Sequence, residues 1–295
     1  MMEVLKVHPR GYCYGVVDAI TMAKRIAKDP NVPRPIYILG QIVHNRHTVL
    51  ELEEYGIQTL DGGLRLDLLE QVPDGATVIF TAHGISPAVK AKAAQRGLNF
   101  YDATCPDVTK THILIREKIQ EGYSIIYIGT KGHPEPEGAM GEAPQGRVAL
   151  VTNLADIEQL TFSDQEPLAI VTQTTLSQWD TKSVINALLA KYPHAEVHNE
   201  ICLATQLRQE AAVKVSDQVD MVVVVGDRRS NNSNRLVEVV EKIGGKPSVR
   251  VESVEDLRPE WFDGITKVAV TAGSSTPSHI TRQVVQQLEE WGKIT

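Results

Sequence analysis

The chain has 295 residues, 42% of them hydrophobic and 23% charged, which allows two or three domains with a sizeable core and excludes a disordered or fibrous protein. A formal charge of −7 disfavours general binding to nucleic acid, and no apolar run reaches the length that spans a bilayer. The three cysteines, an odd number with no CxxC pair, disfavour a disulfide scaffold and make a reducing cytoplasm the expected location.

In chain order, "EVLKV" reads as a strand ahead of Cys13. A helical stretch follows, "YGVVDAITMAKRIAK", with apolar residues three and four apart. It leads to the strand "PIYILG", which ends at Gly40 and opens the polar loop "QIVHNRHT". Next come the strand "TVIFTAHG", the helical "SPAVKAKAAQRG" and the strand "NFYDAT", which delivers Cys105. The order then repeats. "PDVTKTHILIREKIQEG" leads to "SIIYIG" at Gly129, the loop "TKGHPEPEG", "LAIVTQTT", "WDTKSVINALLAKY" and "AEVHNEI", which delivers Cys202. A third round runs through "LATQLRQEAAVKVSDQ", "MVVVVG" at Gly226, "DRRSNNSNR", "VAVTAGSST" and "HITRQVVQQLEEWG".

The cysteines lie 92 and 97 residues apart, and each precedes its strand-ending glycine by 24 to 27 residues. Alternating strands and helices predict an α/β fold with small, mostly parallel sheets. We expect three similar lobes in pseudo-threefold arrangement: 13–104, 105–201 and 202–295. The third lacks its last strand, and residues 1–12 are expected to complete it. A single long doubly wound sheet is the alternative.

Ligands in parallel α/β sheets bind beyond the carboxyl ends of the strands, where the cysteines, polar loops and Thr/Ser strand tips all fall. Each cysteine also starts a helix, which favours thiolate. A lone cysteine is most often core filler, but three at one repeat position predict a metal or cluster site on Cys13, Cys105 and Cys202. Zinc with a fourth ligand and an iron–sulfur cluster with one open iron both fit the spacing.

His44, His83 and His133 sit at strand ends, beside "SNNS" (Ser230, Asn231, Asn232 and Ser233) and "GSS" (Gly273, Ser274 and Ser275). Neutral donors of this kind suit a phosphate or diphosphate, although each alone reads as a turn or cap residue. His8, His47, His112, His194, His198 and His279 have no recurring placement and read as structural or surface residues. Glu135 and Glu137, in a proline-stiffened loop, can donate a proton to a leaving hydroxyl, and Thr174 and Thr175 can relay it or hydrogen-bond the alcohol, although loop glutamates are usually solvated and strand threonines usually fill a sheet. No GxxxxGK[ST] or GxGxxG occurs, so ATP and dinucleotides are not suggested.

Nine segments, "PRGYCYGV", "VHN", "TAHG", "DATCPDVTK", "GHPEPEG", "TQTT", "EICLAT", "SNNSNR" and "TAGSSTP", occur in the order of the 4-hydroxy-3-methylbut-2-enyl diphosphate reductase (IspH/LytB) family, which the chain resembles over nearly its whole length. The resemblance implies a three-lobed α/β fold around a central iron–sulfur site. It also implies reductive removal of the allylic hydroxyl of (E)-4-hydroxy-3-methylbut-2-enyl diphosphate, giving isopentenyl and dimethylallyl diphosphates in the methylerythritol phosphate route to isoprenoids. The implied cofactor is a [4Fe–4S] cluster on Cys13, Cys105 and Cys202 with one iron left open, and the implied partner is a ferredoxin or flavodoxin. By the same resemblance His44, His83, His133, Ser230, Asn232 and Ser275 bind the diphosphate, Glu135 delivers the proton and Thr174 holds the hydroxyl. Some members read Ser-Ser-Asn where this chain has Ser230-Asn231-Asn232, and an amide at 231 can also donate to phosphate. The competing readings are a zinc-dependent hydrolase or lyase of a phosphorylated small molecule and a non-catalytic iron–sulfur sensor.

Overall fold

The structure is a computed structural model that describes residues 2–294. The chain begins β1 (Glu3–Lys6), α1 (Tyr14–Lys28), β2 (Ile36–Leu39), α2 (Arg46–Glu54), β3 (Ile57–Leu60), α3 (Arg65–Glu70), β4 (Thr77–Phe80), α4 (Pro87–Gln95) and β5 (Asn99–Asp102). It continues α5 (Pro106–Gln120), β6 (Ser124–Ile128), α6 (Pro134–Met140), β7 (Val148–Val151), α7 (Leu154–Glu158), β8 (Leu168–Thr172), α8 (Gln178–Lys191) and β9 (Glu196–His198). The last stretch is α9 (Leu203–Ser216), β10 (Met221–Val225), α10 (Asn231–Lys242), β11 (Ser248–Val251), β12 (Lys267–Ala272) and α11 (Ser278–Ile294).

Two compact units result. The first comprises Met1–Tyr14, His44–Thr48 and Cys202–Thr295, and the second Gly15–Val43 and Val49–Ile201. The first unit holds one four-stranded sheet, β11-β10-β12-β1; the second holds two, β3-β2-β4-β5 and β7-β6-β8-β9. Every pairing in the three sheets is parallel. The strand order is the same in each: the strand after the cysteine-led helix lies between the second and third, and the fourth is outermost. In the first unit that fourth strand is β1, paired with β12 from Glu3↔Lys267 to Lys6↔Val270.

Parallel strands covered on both faces must be apolar on both, which is why "MVVVV" is buried throughout. Successive side chains point to opposite faces. Val223 and Val225 therefore join Val284, Val285 and Leu288 of α11, while Val222 and Val224 join Leu236 and Val240 of α10. In the second unit Ile126 and Ile128 of β6 pack with Leu188 of α8, and Ile125 and Tyr127 with Ile115 of α5. Each such side chain contributes about 1.5–3 kcal/mol by leaving water.

Two differences from the sequence-based reading have physical causes. Strands β3, β7 and β11 were not predicted; they are four-residue edge strands that neither end at the recurring glycine or hydroxyls nor deliver a cysteine, so the repeat does not mark them. "GHPEPEG", expected to be a loop, forms the short helix α6, with His133 as N-cap and Pro134 at its first position. Proline is tolerated there because first-turn N–H groups have no intrahelical acceptor.

Candidate active site

The predicted residues divide between the units. In the first, Cys13 directly precedes α1 and Cys202 is the N-cap of α9. A chain of hydrogen bonds links them. The Cys13 N–H donates to Ser274 O (3.1 Å), the Ser274 N–H donates to Asn232 Oδ1 (2.9 Å), and Asn232 Nδ2 donates to Thr205 Oγ1 (3.4 Å). Thr205 Oγ1 also accepts from the Cys202 thiol (3.2 Å). Next to Ser274, Ser275 Oγ donates to the carbonyl of His44 (2.9 Å). Cys13, Cys202, Asn232, Ser275 and His44 are thus tied into one polar network.

Ser230 caps α10 by accepting from the Ser233 N–H (3.2 Å), so the predicted "SNNS" loop is a helix start, with Asn231 and Asn232 as its first two residues, both buried. A Cβ on Gly226 would overlap Ser233 Oγ. The glycine that ends β10 is therefore what lets the helix begin so close to the strand.

In the second unit Cys105 is the N-cap of α5, with Pro106 at the first helical position. Its N–H donates to Ala82 O (3.0 Å), beside His83. The His83 and His133 rings meet edge to face with centroids 5.2 Å apart. His133 Nδ1 accepts from the Glu135 N–H (3.1 Å) and lies 3.1 Å from Gln173 Nε2. Gln173 Oε1 in turn accepts from the Thr130 N–H (2.8 Å).

Glu135 is 2% exposed, and its Oε1 accepts from the Thr174 N–H at 2.7 Å. Burial pushes its carboxyl above the ordinary carboxylate range, against the Thr174 N–H, the Thr174 and Gln173 side chains and the His112 charge, which all pull it down. Burial wins, so the neutral form is stabilised relative to that of an exposed glutamate. Nearby, the Glu137 carboxylate accepts from the Arg65 N–H (2.8 Å) and fixes the same turn of α6.

Sequence reasoning missed several of these partners. Thr205 and Gln173 lie inside segments already singled out, "EICLAT" and "TQTT", but they act on neighbours that spacing does not reveal. His112, read as structural or surface, is 7% exposed. Its Nδ1 lies 2.9 Å from Glu142, and its ring lies so close to Gly84 and Gly138 that a Cβ at either would be crowded. In the first unit a cavity of about 500 Å³, lined by Lys6, His8, Arg10, Thr281 and Arg282 among others, contains none of the predicted residues.

The residues fit an iron–sulfur group. None of the three cysteines is in a disulfide, and all are half-buried. Thiolates are the usual ligands of such clusters. Gly15, on the first turn of α1, keeps the Cys105 sulfur clear, since a Cβ there would overlap Sγ. Burial on α9 lowers the pKa of the Arg208 guanidinium, and negative charge on the Cys13 and Cys202 sulfurs pulls it back up. Among the described residues no helix is long and apolar enough to cross a membrane.

Parallel α/β sheets with thiols, imidazoles and a buried acid at their strand ends fit the class of α/β enzymes that work with a metal or an iron–sulfur group. Comparison with known proteins narrows the class. The family model described as LytB protein matches residues 4–289. Curated 4-hydroxy-3-methylbut-2-enyl diphosphate reductases are similar throughout. The one from Symbiobacterium thermophilum is 58% identical across 98% of this chain and 98% of its own, and that from Halalkalibacterium halodurans is 56% identical across 98% and 91%.

Among solved structures, the E-1-hydroxy-2-methyl-but-2-enyl-4-diphosphate reductase of Plasmodium falciparum superposes with a TM-score of 0.91 at 36% identity, covering 97% of this chain and 88% of that one. A second, an (E)-4-hydroxy-3-methyl-but-2-enyl diphosphate reductase described as the terminal enzyme of the non-mevalonate pathway, gives 0.67 at 32% identity, covering 98% and 100%. The chain belongs to the LytB family, that of the 4-hydroxy-3-methylbut-2-enyl diphosphate reductases.

Proposed function

We propose that this chain reductively removes the allylic hydroxyl of (E)-4-hydroxy-3-methylbut-2-enyl diphosphate, yielding isopentenyl and dimethylallyl diphosphates and water. Full-length family membership supports the reaction. The single structural observation that carries it is the buried Glu135 carboxyl, biased towards its protonated form and held by the Thr174 backbone. The overall change takes two electrons and two protons: the C–O bond breaks, one proton leaves with the hydroxyl as water and the other ends on carbon.

Cys13, Cys105 and Cys202 are the residues that would hold the cofactor, in this proposal a [4Fe–4S] cluster with three cysteine ligands. Bound, it supplies one-electron transfer and an open iron that acts as a Lewis acid towards the hydroxyl.

The remaining steps belong to the chain's own side chains. Hydroxide is a poor leaving group, so a proton must arrive as it departs, and a general acid is worth about 10²–10⁴-fold. Glu135 is the donor in this reading, and the Thr174 hydroxyl holds the substrate alcohol. His44, Ser230, Asn231, Asn232 and Ser275 of the first unit, with His83 and His133 of the second, bind the diphosphate. Ser230, Asn231 and Asn232 stand at the start of α10, where backbone N–H groups and the helix dipole favour an anion. Holding the diphosphate orients the remote allylic carbon.

The proposal extends to a ferredoxin or flavodoxin as electron donor and to a cytoplasmic location. It also covers the division into lobes 13–104, 105–201 and 202–295 with residues 1–12 completing the last, which the shared strand order supports. Anaerobic purification followed by iron, sulfide and zinc assays tests it. Roughly four irons and four sulfides per chain, with turnover of the allylic diphosphate by reduced protein, is the expected result. A colourless zinc protein, or a cluster protein that leaves the diphosphate untouched, would refute it.

A further inference from the structure

Arg208 lies on the inward face of α9, in the row Thr205, Arg208, Gln209, Ala212 and Ser216, and is 5% exposed. A guanidinium buried this far must replace its lost hydration with hydrogen bonds and opposite charge. Among the described residues no carboxylate forms an ion pair with it. Its hydrogen bonds go to carbonyls: Nη1 donates to Ala204 O (2.7 Å), and Nη2 donates to Gly11 O (2.7 Å) and Tyr12 O (3.3 Å). Its buried Nε has no hydrogen-bond partner.

The placement of those carbonyls is specific. Gly11 and Tyr12 immediately precede Cys13, and Ala204 is the second residue after Cys202. One side chain therefore ties the backbone leading into one cysteine to the backbone leaving another, all within the first unit. The ionisable groups whose charge Arg208 feels are those same two thiols. Carbonyls accept from its two Nη groups, but they supply no net negative charge. In the cluster-bound protein that charge comes from the thiolates and whatever they hold.

We propose that Arg208 is a positioning residue for the iron–sulfur group, which fixes the backbone at Cys13 and Cys202 and lends that group a permanent positive charge that makes it easier to reduce. The inference rests on the reading that Cys13 and Cys202 are cluster ligands. An added electron makes the cluster more negative, and a fixed cation in a water-poor site favours the reduced state. Arginine suits the place because its planar fork reaches several carbonyls at once and does not lose its charge.

The test is a redox titration of anaerobically purified wild type, Arg208→Gln and Arg208→Lys, followed by electron paramagnetic resonance, with iron and sulfide assayed on each. With Gln, the reduced-to-oxidised ratio at a fixed potential is expected to fall about tenfold, a midpoint shift of about 59 mV to lower potential. Lys should keep most of the potential because it keeps the charge. A Gln variant that holds its cluster at the wild-type midpoint overturns the proposal. Should Gln hold no cluster, Lys decides: near-normal iron and sulfide support the charge role, and loss as complete as with Gln refutes it. A wild type without iron and sulfide is a different outcome, because it removes the cluster reading itself.

Discussion

The starts of α6 and α10 are one piece of structure used twice, with different chemistry. Each follows the first strand of its sheet, and its N-cap lies four residues after that strand's glycine, His133 after Gly129 and Ser230 after Gly226. Two residues past the cap stands a side chain that accepts from the backbone N–H two residues beyond the third strand. That residue is Glu135 reaching Thr174 in the second unit and Asn232 reaching Ser274 in the first. The cysteines repeat too, with Cys105 N–H bonded to Ala82 O and Cys13 N–H to Ser274 O, each carbonyl again two residues past a third strand. Backbone geometry is therefore common, and the acid is introduced by a single residue. An amide at Asn232 can donate to an anion but cannot titrate; a buried carboxyl at Glu135 can deliver a proton.

Exchanging the two chemistries is the strongest way to break the comparison. Glu135→Gln puts an amide at both helix starts. It keeps the acceptor for the Thr174 N–H and should lower kcat by about 10²–10⁴-fold with iron content unchanged, as steady-state assays and metal analysis will show. Asn232→Asp is the reverse exchange. Its carboxylate still accepts from Ser274 but repels a diphosphate, so KM should rise about tenfold, an effect of about 1.4 kcal/mol, with a smaller change in kcat.

A subtler change sharpens the same contrast. The His112 charge pulls the Glu135 carboxyl down, so His112→Asn should let it rise further. Because the acid must be protonated to act, the basic limb of the kcat–pH profile should move to higher pH. The smallest effect is on stability. The folded pKa of Glu135 is raised above its unfolded value, so its contribution is complete below the unfolded value of about 4.3 and is lost as pH rises through the folded one. Glu135→Gln should therefore raise Tm at neutral pH, with a gap over wild type that closes in acid, measured by calorimetry on anaerobic samples.

Much of this was legible in the sequence because the repeat is carried by buried central strands. Runs such as "SIIYI" and "MVVVV" are buried on both faces and lead into a glycine that stands 24 residues after a cysteine. The edge strands β3, β7 and β11 were illegible because they are four residues long and carry none of the recurring cysteine, glycine or hydroxyl markers, whereas the opposite edge strands β5 and β9 are marked by the cysteines that follow them. Helix α6 was illegible because Pro-Glu-Pro-Glu reads as a turn unless its N-cap is known.

Within the candidate site, repetition by position singles out Cys13, Cys105, Cys202, His44 and His133 in the sequence. Thr205, Gln173 and Arg208, whose partners no spacing links to them, could not be found that way. Arg208 is the instructive case. The three- and four-residue spacing of Thr205, Arg208, Gln209 and Ala212 places a charge on the inward face of α9, a signal in the sequence that carries meaning only once that face is known to be buried.

Glu135 is a buried acid where Asn232 is an amide, and infrared difference spectroscopy across a pH titration tests this directly. The protonated carboxyl gives a carbonyl stretch that Glu135→Gln deletes and Asn232→Ala leaves in place. The account predicts that this band persists at pH values above the ordinary glutamate range of about 4.3. A band that disappears within that range, or that survives Glu135→Gln, would contradict it.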